Sequence, residues 1–136
     1  MQPISDILAH FSPTSRVWIF IGKRQLDATE NAWASEQLLA FTQTWQTHGK
    51  QMNASGFVFE GYALVIVANE EGVKASGCSM DKINHQIRQM GSALGIDYFE
   101  RMNTLVFENN TWQLTTFSPT ETRRTVSAAT QVLGEL

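Results

Sequence analysis

Two short runs are apolar at every position, Val17-Trp18-Ile19-Phe20-Ile21 and Ala63-Leu64-Val65-Ile66-Val67. A strand turns alternate side chains to opposite faces, so a run that is apolar at both parities must be covered on both sides. Both runs are too short for buried helices and rich in β-branched or aromatic residues, which marks them as strands. Any fold for this chain therefore contains a sheet with material packed on each face.

Helix signals supply part of that material. Asp27-Ala28-Thr29-Glu30 has the form of a capping box, in which the Asp27 side chain accepts from the backbone of Glu30 and Glu30 reaches back. The spacing predicts a helix from there to about His48, stopped by Gly49, with Ala34, Leu38, Phe41 and Trp45 as its buried stripe. A second helix is predicted over Ser79 to Leu94, closed by Gly95, with Met80, Ile83, Ile87, Met90 and Leu94 facing inward. A short first helix, Ile4 to Phe11, ends before Pro13. Ser118-Pro119-Thr120-Glu121 joins an N-cap serine, a first-turn proline and a glutamate three residues after the cap, and predicts a last helix from Pro119 to about Leu133.

The remaining strands come from turn chemistry. Glu60-Gly61 splits an apolar stretch into strands Gly56–Phe59 and Tyr62–Ala68, and Asn109-Asn110 joins Leu105–Glu108 to Trp112–Thr116. Residues Asn69 to Gly77 form a polar loop. The resulting order, β-α-β-β-α-β followed by an extra strand and helix, predicts an α+β domain with a ferredoxin-like core. In that arrangement the first and third strands are central, and these are the two runs that are apolar on both faces. Two helices cover one face of such a sheet. The other face falls to the C-terminal helix or to a second subunit, and a homodimer is the expected state.

At 136 residues, 43% hydrophobic and 17% charged, the chain fits one globular domain over residues 1–136. The formal charge is −3 and the ten basic residues are scattered, so no nucleic-acid footprint is expected. No apolar run nears the roughly 18 residues of a membrane span. The N-terminus lacks the basic and apolar regions of a signal peptide, and the single cysteine, Cys78, excludes an internal disulfide. The expected location is the cytoplasm. The four tryptophans, Trp18, Trp33, Trp45 and Trp112, are read as core anchors.

Four segments, Arg16-Val-Trp-Ile19, Trp45-Gln-Thr-His-Gly49, Ala75-Ser-Gly-Cys-Ser-Met-Asp-Lys82 and Gly95-Ile-Asp-Tyr-Phe99, together resemble a small bacterial family of uncharacterised proteins whose members are often labelled "ABC transporter ATPase". The resemblance covers roughly Arg16 to Arg101. That label implies a phosphate-wrapping loop, Gly-x4-Gly-Lys-Ser/Thr, which is absent here; Gly72-Val-Lys-Ala-Ser-Gly77 has similar letters in the wrong order. An ATPase activity is therefore not expected.

Two groups of residues remain as candidates. Cys78 lies beside the start of the second helix, where a helix dipole favours negative charge, and is the candidate catalytic or redox-active thiol. Such a thiol needs a histidine or a cation nearby. His85 lies seven residues on, roughly 10 Å along the helix axis. His48 is expected at the far end of a helix parallel to the second, roughly 30 Å away. The second candidate is an anion site. If both helices start at one end of the sheet, Lys23 and Arg24 face Lys74, Ser76, Gly77, Cys78 and Ser79, and small residues, cations and free backbone N–H groups converge there. No zinc-type ligand spacing is present, so no metal or cofactor is expected. The leading expectation is a non-enzymatic domain that binds a small anionic ligand or a protein partner. A thiol enzyme or redox sensor using Cys78 is the alternative, and an interaction subunit working through an open sheet face is a third.

Overall fold

The computed structural model describes residues 9–100, 103–108, 110–116 and 131–133. The elements are β1 (Arg16–Ile21), α1 (Ala28–Thr44), β2 (Gln46–Thr47), β3 (Lys50–Gln51), β4 (Asn53–Phe59), β5 (Ala63–Asn69), α2 (Gly77–Leu94), β6 (Asn103–Glu108), β7 (Thr111–Thr116) and β8 (Gln131–Leu133). The fold is α+β, with antiparallel sheets and two helices among the described residues.

The main sheet has the order β1-β5-β4, antiparallel throughout, with Val17 opposite Val67 and Phe57 opposite Val65. β5 is central, and its residues from Ala63 to Ala68 are buried, as an all-apolar run requires. The hairpin to β4 turns on Glu60 and Gly61, both at positive φ. On one face Leu64, Ile66 and Ala68 pack with Leu38 and Trp45 from the first helical region and with Ile83, Ile87 and Met90 of α2. On the opposite face Ile21, Phe59, Ala63, Val65 and Val67 pack with Leu105 and Trp112, which belong to a second sheet of order β7-β6-β8. The Phe59 and Trp112 rings meet edge to face at 5.0 Å. The molecule is thus layered as helices, sheet and second sheet, and the face that was expected to need a C-terminal helix or a second subunit is covered by the β6–β7 hairpin.

The second sheet also revises the expected strand order. The first three predicted strands, here β1, β4 and β5, lie together in one antiparallel sheet. β6 makes its ladders with β7 and β8, and the described pairings leave β1 at an edge of the main sheet. Of the predicted last helix, residues 119–130 lie outside the described residues, and its end, Gln131–Leu133, is strand β8. The predicted first helix lies outside them up to Leu8, and residues 9–11 form turn and bend.

The capping box at Asp27 and Glu30 is present. α1 stops at Thr44, short of the predicted His48, because Trp45 leaves the helix in an extended conformation. His48 and Gly49, at φ 51° and 78°, then turn the small β2–β3 hairpin, so Gly49 serves a strand turn and not a helix stop. Trp45 stays buried, and its indole N–H donates to the Ser79 carbonyl at 2.9 Å. α2 starts earlier than predicted, with Ser76 as N-cap and Ser79 completing the box, and Gly95 closes it in the left-handed region.

Candidate functional site

The antiparallel pairing of β1 with β5 decides where the expected site residues lie. The loop after β1 and the loop after β5 leave the sheet at opposite ends. Contacts at both ends agree. Ser12 and Thr14, just before β1, donate to Glu71 in the loop after β5, whereas Arg24, just after β1, donates to the carbonyl of Leu94 at the end of α2. The expected meeting of Lys23 and Arg24 with Lys74, Ser76, Gly77, Cys78 and Ser79 is therefore corrected. α1 and α2 run antiparallel, so their starts lie at opposite ends.

Arg24 is also committed. Its guanidinium makes a fork with both carboxylate oxygens of Glu30, at 2.8 and 2.7 Å. That fork, with a further hydrogen bond from the Asp27 backbone N–H, holds the Glu30 carboxyl down at about 2. The same Arg24 nitrogen reaches Leu94, so the side chain ties the start of α1 to the end of α2. Lys23 makes no ion pair among the described residues.

At the other end, Ser76 and Ser79 are absorbed in capping. The Ser76 N–H donates to Ser79 Oγ at 2.6 Å, and the Ser79 N–H donates to Ser76 Oγ at 3.2 Å. Thr47 Oγ1 donates to Ser76 Oγ at 3.0 Å and brings the β2–β3 hairpin onto this helix start. Lys74, Gly77 and Cys78 are exposed, and Cys78 is a free thiol in the first turn of α2. The same contact corrects the placement of His48. It follows Thr47 directly and so lies at the Cys78 end of the molecule.

A different part of the Lys23 end has the features of a site. Two cavities adjoin there and share Glu100 and Asn103. One, of about 340 Å³, is lined by Ile19, Phe20, Ile21, Tyr98, Phe99, Glu100 and Asn103. The other, of about 440 Å³, is lined by Lys23, Arg24, Gly95, Ile96, Asp97, Glu100 and Asn103. Both volumes suit a small molecule. Asn103 is 3% exposed and donates from Nδ2 to the Ile21 carbonyl at 3.1 Å, which fixes its amide and leaves Oδ1 as the opposite end. Oδ1 has no partner among the described residues, and neither has the hydroxyl of Tyr98, which is also 3% exposed. Burial pushes the Tyr98 phenol up to about 12, so it stays protonated and keeps a donor to offer.

Sequence reasoning placed Lys23 and Arg24 near this end for another reason and missed Tyr98 and Asn103. Tyr98 lies in one of the family-like segments, but nothing in its spacing marks a buried hydroxyl. Asn103 opens β6, two residues before the predicted strand start at Leu105. Only its polar character beside an apolar run could have drawn notice.

No family model, curated protein or solved structure matches this chain. Among the described residues, no helix is long and apolar enough to cross a membrane, and no group of three or more histidine, cysteine or acidic side chains is placed to hold a metal ion. Fold and geometry define a layered α+β domain with a small polar-floored cleft at one end of its main sheet.

Proposed function

We propose that this chain is a non-enzymatic binding domain for a small anionic molecule that also carries a hydrogen-bond donor. One observation supports the reading above the others: two buried polar atoms, Asn103 Oδ1 and Tyr98 Oη, lack partners among the described residues, and both residues border one cavity. Native domains leave few such atoms, and each costs about 1–3 kcal/mol until something pairs with it. A ligand donor would satisfy Asn103 Oδ1, the Tyr98 hydroxyl would bond a ligand oxygen, and Lys23 at the adjoining cavity would take the negative charge. Both atoms are closed to solvent, so binding would include a small shift of the Tyr98 and Asn103 side chains. The finer expectations belong to the same reading: a ferredoxin-like core whose fourth strand is drawn into a second sheet, a cytoplasmic location and a homodimeric state.

The test is a titration of ¹⁵N-labelled protein with lactate, malate, glycine and glutamate at millimolar concentration, which together present carboxylates with hydroxyl or amine donors. Perturbation of the Asn103 side-chain amide and of the backbone around Gly95 is expected from at least one of them, and should be absent in Asn103→Ala. If all four leave these signals unmoved, the reading fails.

The alternative, a thiol enzyme or redox sensor, draws on the exposed Cys78 and on His48 at the same end of the molecule. It predicts rapid alkylation of Cys78 at neutral pH that slows in His48→Ala. The third expectation, an open sheet face as working surface, loses its ground because Leu105 and Trp112 pack on that face.

A further inference from the structure

The outer edge of β4 has features of an interface. All seven residues of β4 pair with β5, and among the described residues none pairs on the other side. Natural sheets blunt such edges with lysine, proline, inward charges or a bulge, because an unpaired row of N–H and C=O groups templates further pairing. The sequence of β4, Asn-Ala-Ser-Gly-Phe-Val-Phe, has no charged residue and no proline, and its ladder to β5 is unbroken. β1, the other edge of this sheet, begins with Arg16, and its last carbonyl, that of Ile21, is met by Asn103. α1 packs on β4 through Leu38 at Gly56 but leaves a groove beside the start of the strand. The groove, of about 660 Å³, lies between Leu39, Thr42 and Gln43 on the helix and the start of the strand from Asn53 to Gly56. Leu39, 54% exposed, is the large hydrophobic side chain left most open among the described residues.

We infer that β4 is a self-pairing edge: two copies of this chain join β4 to β4, antiparallel, across a two-fold axis. The main sheet then runs continuously through six strands, and each Leu39 packs at the groove of the other copy. A second copy fits better than a foreign strand for two reasons. Antiparallel pairing of a strand with itself is self-complementary under a two-fold axis. An uncharged edge meets its own image without repulsion, whereas it offers no charge by which to select another partner. Size sets the expected strength. A seven-residue edge is about 24 Å long, and two layers at about 10 Å spacing give roughly 500 Å² per protomer. The total, about 1,000 Å², lies at the low end for specific interfaces, so a weak, concentration-dependent dimer is expected.

Sedimentation velocity of the full chain from low micromolar to submillimolar concentration tests this. The wild type is expected to move from monomer to dimer across that range. Ser55→Lys, at an exposed edge position on the sheet face opposite Ala54 and Val58, places like charges across the axis and should weaken the dimer at least tenfold, with unchanged far-UV circular dichroism. Leu39→Lys should do the same from the helix side, and it decides the matter if Ser55→Lys folds poorly. Gln89→Lys, exposed on α2, carries the same charge change and should leave association unaltered. A wild type that stays monomeric, or edge variants that dimerise as the wild type does, overturns the inference.

Discussion

Tyr98 sits where two glycines leave room for its ring. A Cβ on Gly22 would lie 2.8 Å from both Ile96 Cγ2 and Tyr98 Cε1, and a Cβ on Gly91 would lie 2.5 Å from the Ile96 carbonyl oxygen. The second clash is with backbone and cannot be relieved by a side-chain rotation. Gly91→Ala gains about 1 kcal/mol of helix propensity, yet it forces the chain after α2 away from the helix. The expected outcome in urea denaturation is a net loss of about 1–2 kcal/mol; a more stable variant would show that the Ile96–Tyr98 turn moves freely. The phenol gives a second prediction. Its folded pKa, raised to about 12 by burial, exceeds the unfolded value near 10. In that window the folded state binds more protons than the unfolded state. The stability contributed by this group is thus complete below about pH 10 and lost as pH rises through about 12, with a ceiling of about 2–3 kcal/mol. Tyr98→Phe should flatten that loss when stability is compared at about pH 8 and about pH 11. At neutral pH it should change stability little, because the hydroxyl it removes has no partner among the described residues. These residue-level constraints were hardly legible in the sequence. A glycine that seats a ring from a distant segment looks like any other glycine until the segments meet.

Elements were more legible where their signals were local. The Asp27 box, the Glu60-Gly61 turn, the closing Gly95 and the doubly buried β5 all follow from neighbouring residues, and all are present. The end of α1 was misread because Gly49 can stop a helix or turn a hairpin, and the choice rests on Trp45. Its indole reaches Ser79 on the other helix, a contact invisible to local spacing. The start of α2 was misplaced for a related reason: Ser76 and Ser79 are both competent caps, and Thr47 from the β2–β3 hairpin bonds to Ser76. Local caps should therefore carry local energies. Asp27→Ala removes the acceptor for the Glu30 N–H and should lower stability by about 1 kcal/mol in thermal or urea denaturation, as an exposed N-cap does. The fork between Glu30 and Arg24 survives that change, so the tie from Arg24 to Leu94 should persist, visible as unaltered Leu94 and Gly95 amide resonances. Loss of those signals in Asp27→Ala would mean that the cap and the tie form one unit.

For the whole molecule, periodicity stated that β5 needs cover on both faces but could not say which segment provides it. The predicted site failed at this scale. Lys23, Arg24 and the 74–79 segment each follow a strand, as expected, but antiparallel β1 and β5 send them to opposite ends. Leu105–Glu108 and Trp112–Thr116 were correctly read as paired strands, yet their sequence does not reveal that they form a layer of their own beneath β5. The consequence is testable through Trp112, which is 7% exposed and stands edge-on to Phe59 between the two sheets. Trp112→Ala removes the largest buried side chain seen in that contact and should cost about 3–5 kcal/mol in urea denaturation. It should also uncover Phe59 and Val65 to an apolar dye before the helical side of the core melts, because Trp45, Ile83 and Met90 pack on the opposite face. If the variant stays within about 1 kcal/mol of the wild type and binds no dye, the hairpin is not what keeps water from that face. A second copy of the chain would then again be the simplest cover, and the dimer axis should be sought across the sheet instead of along the β4 edge.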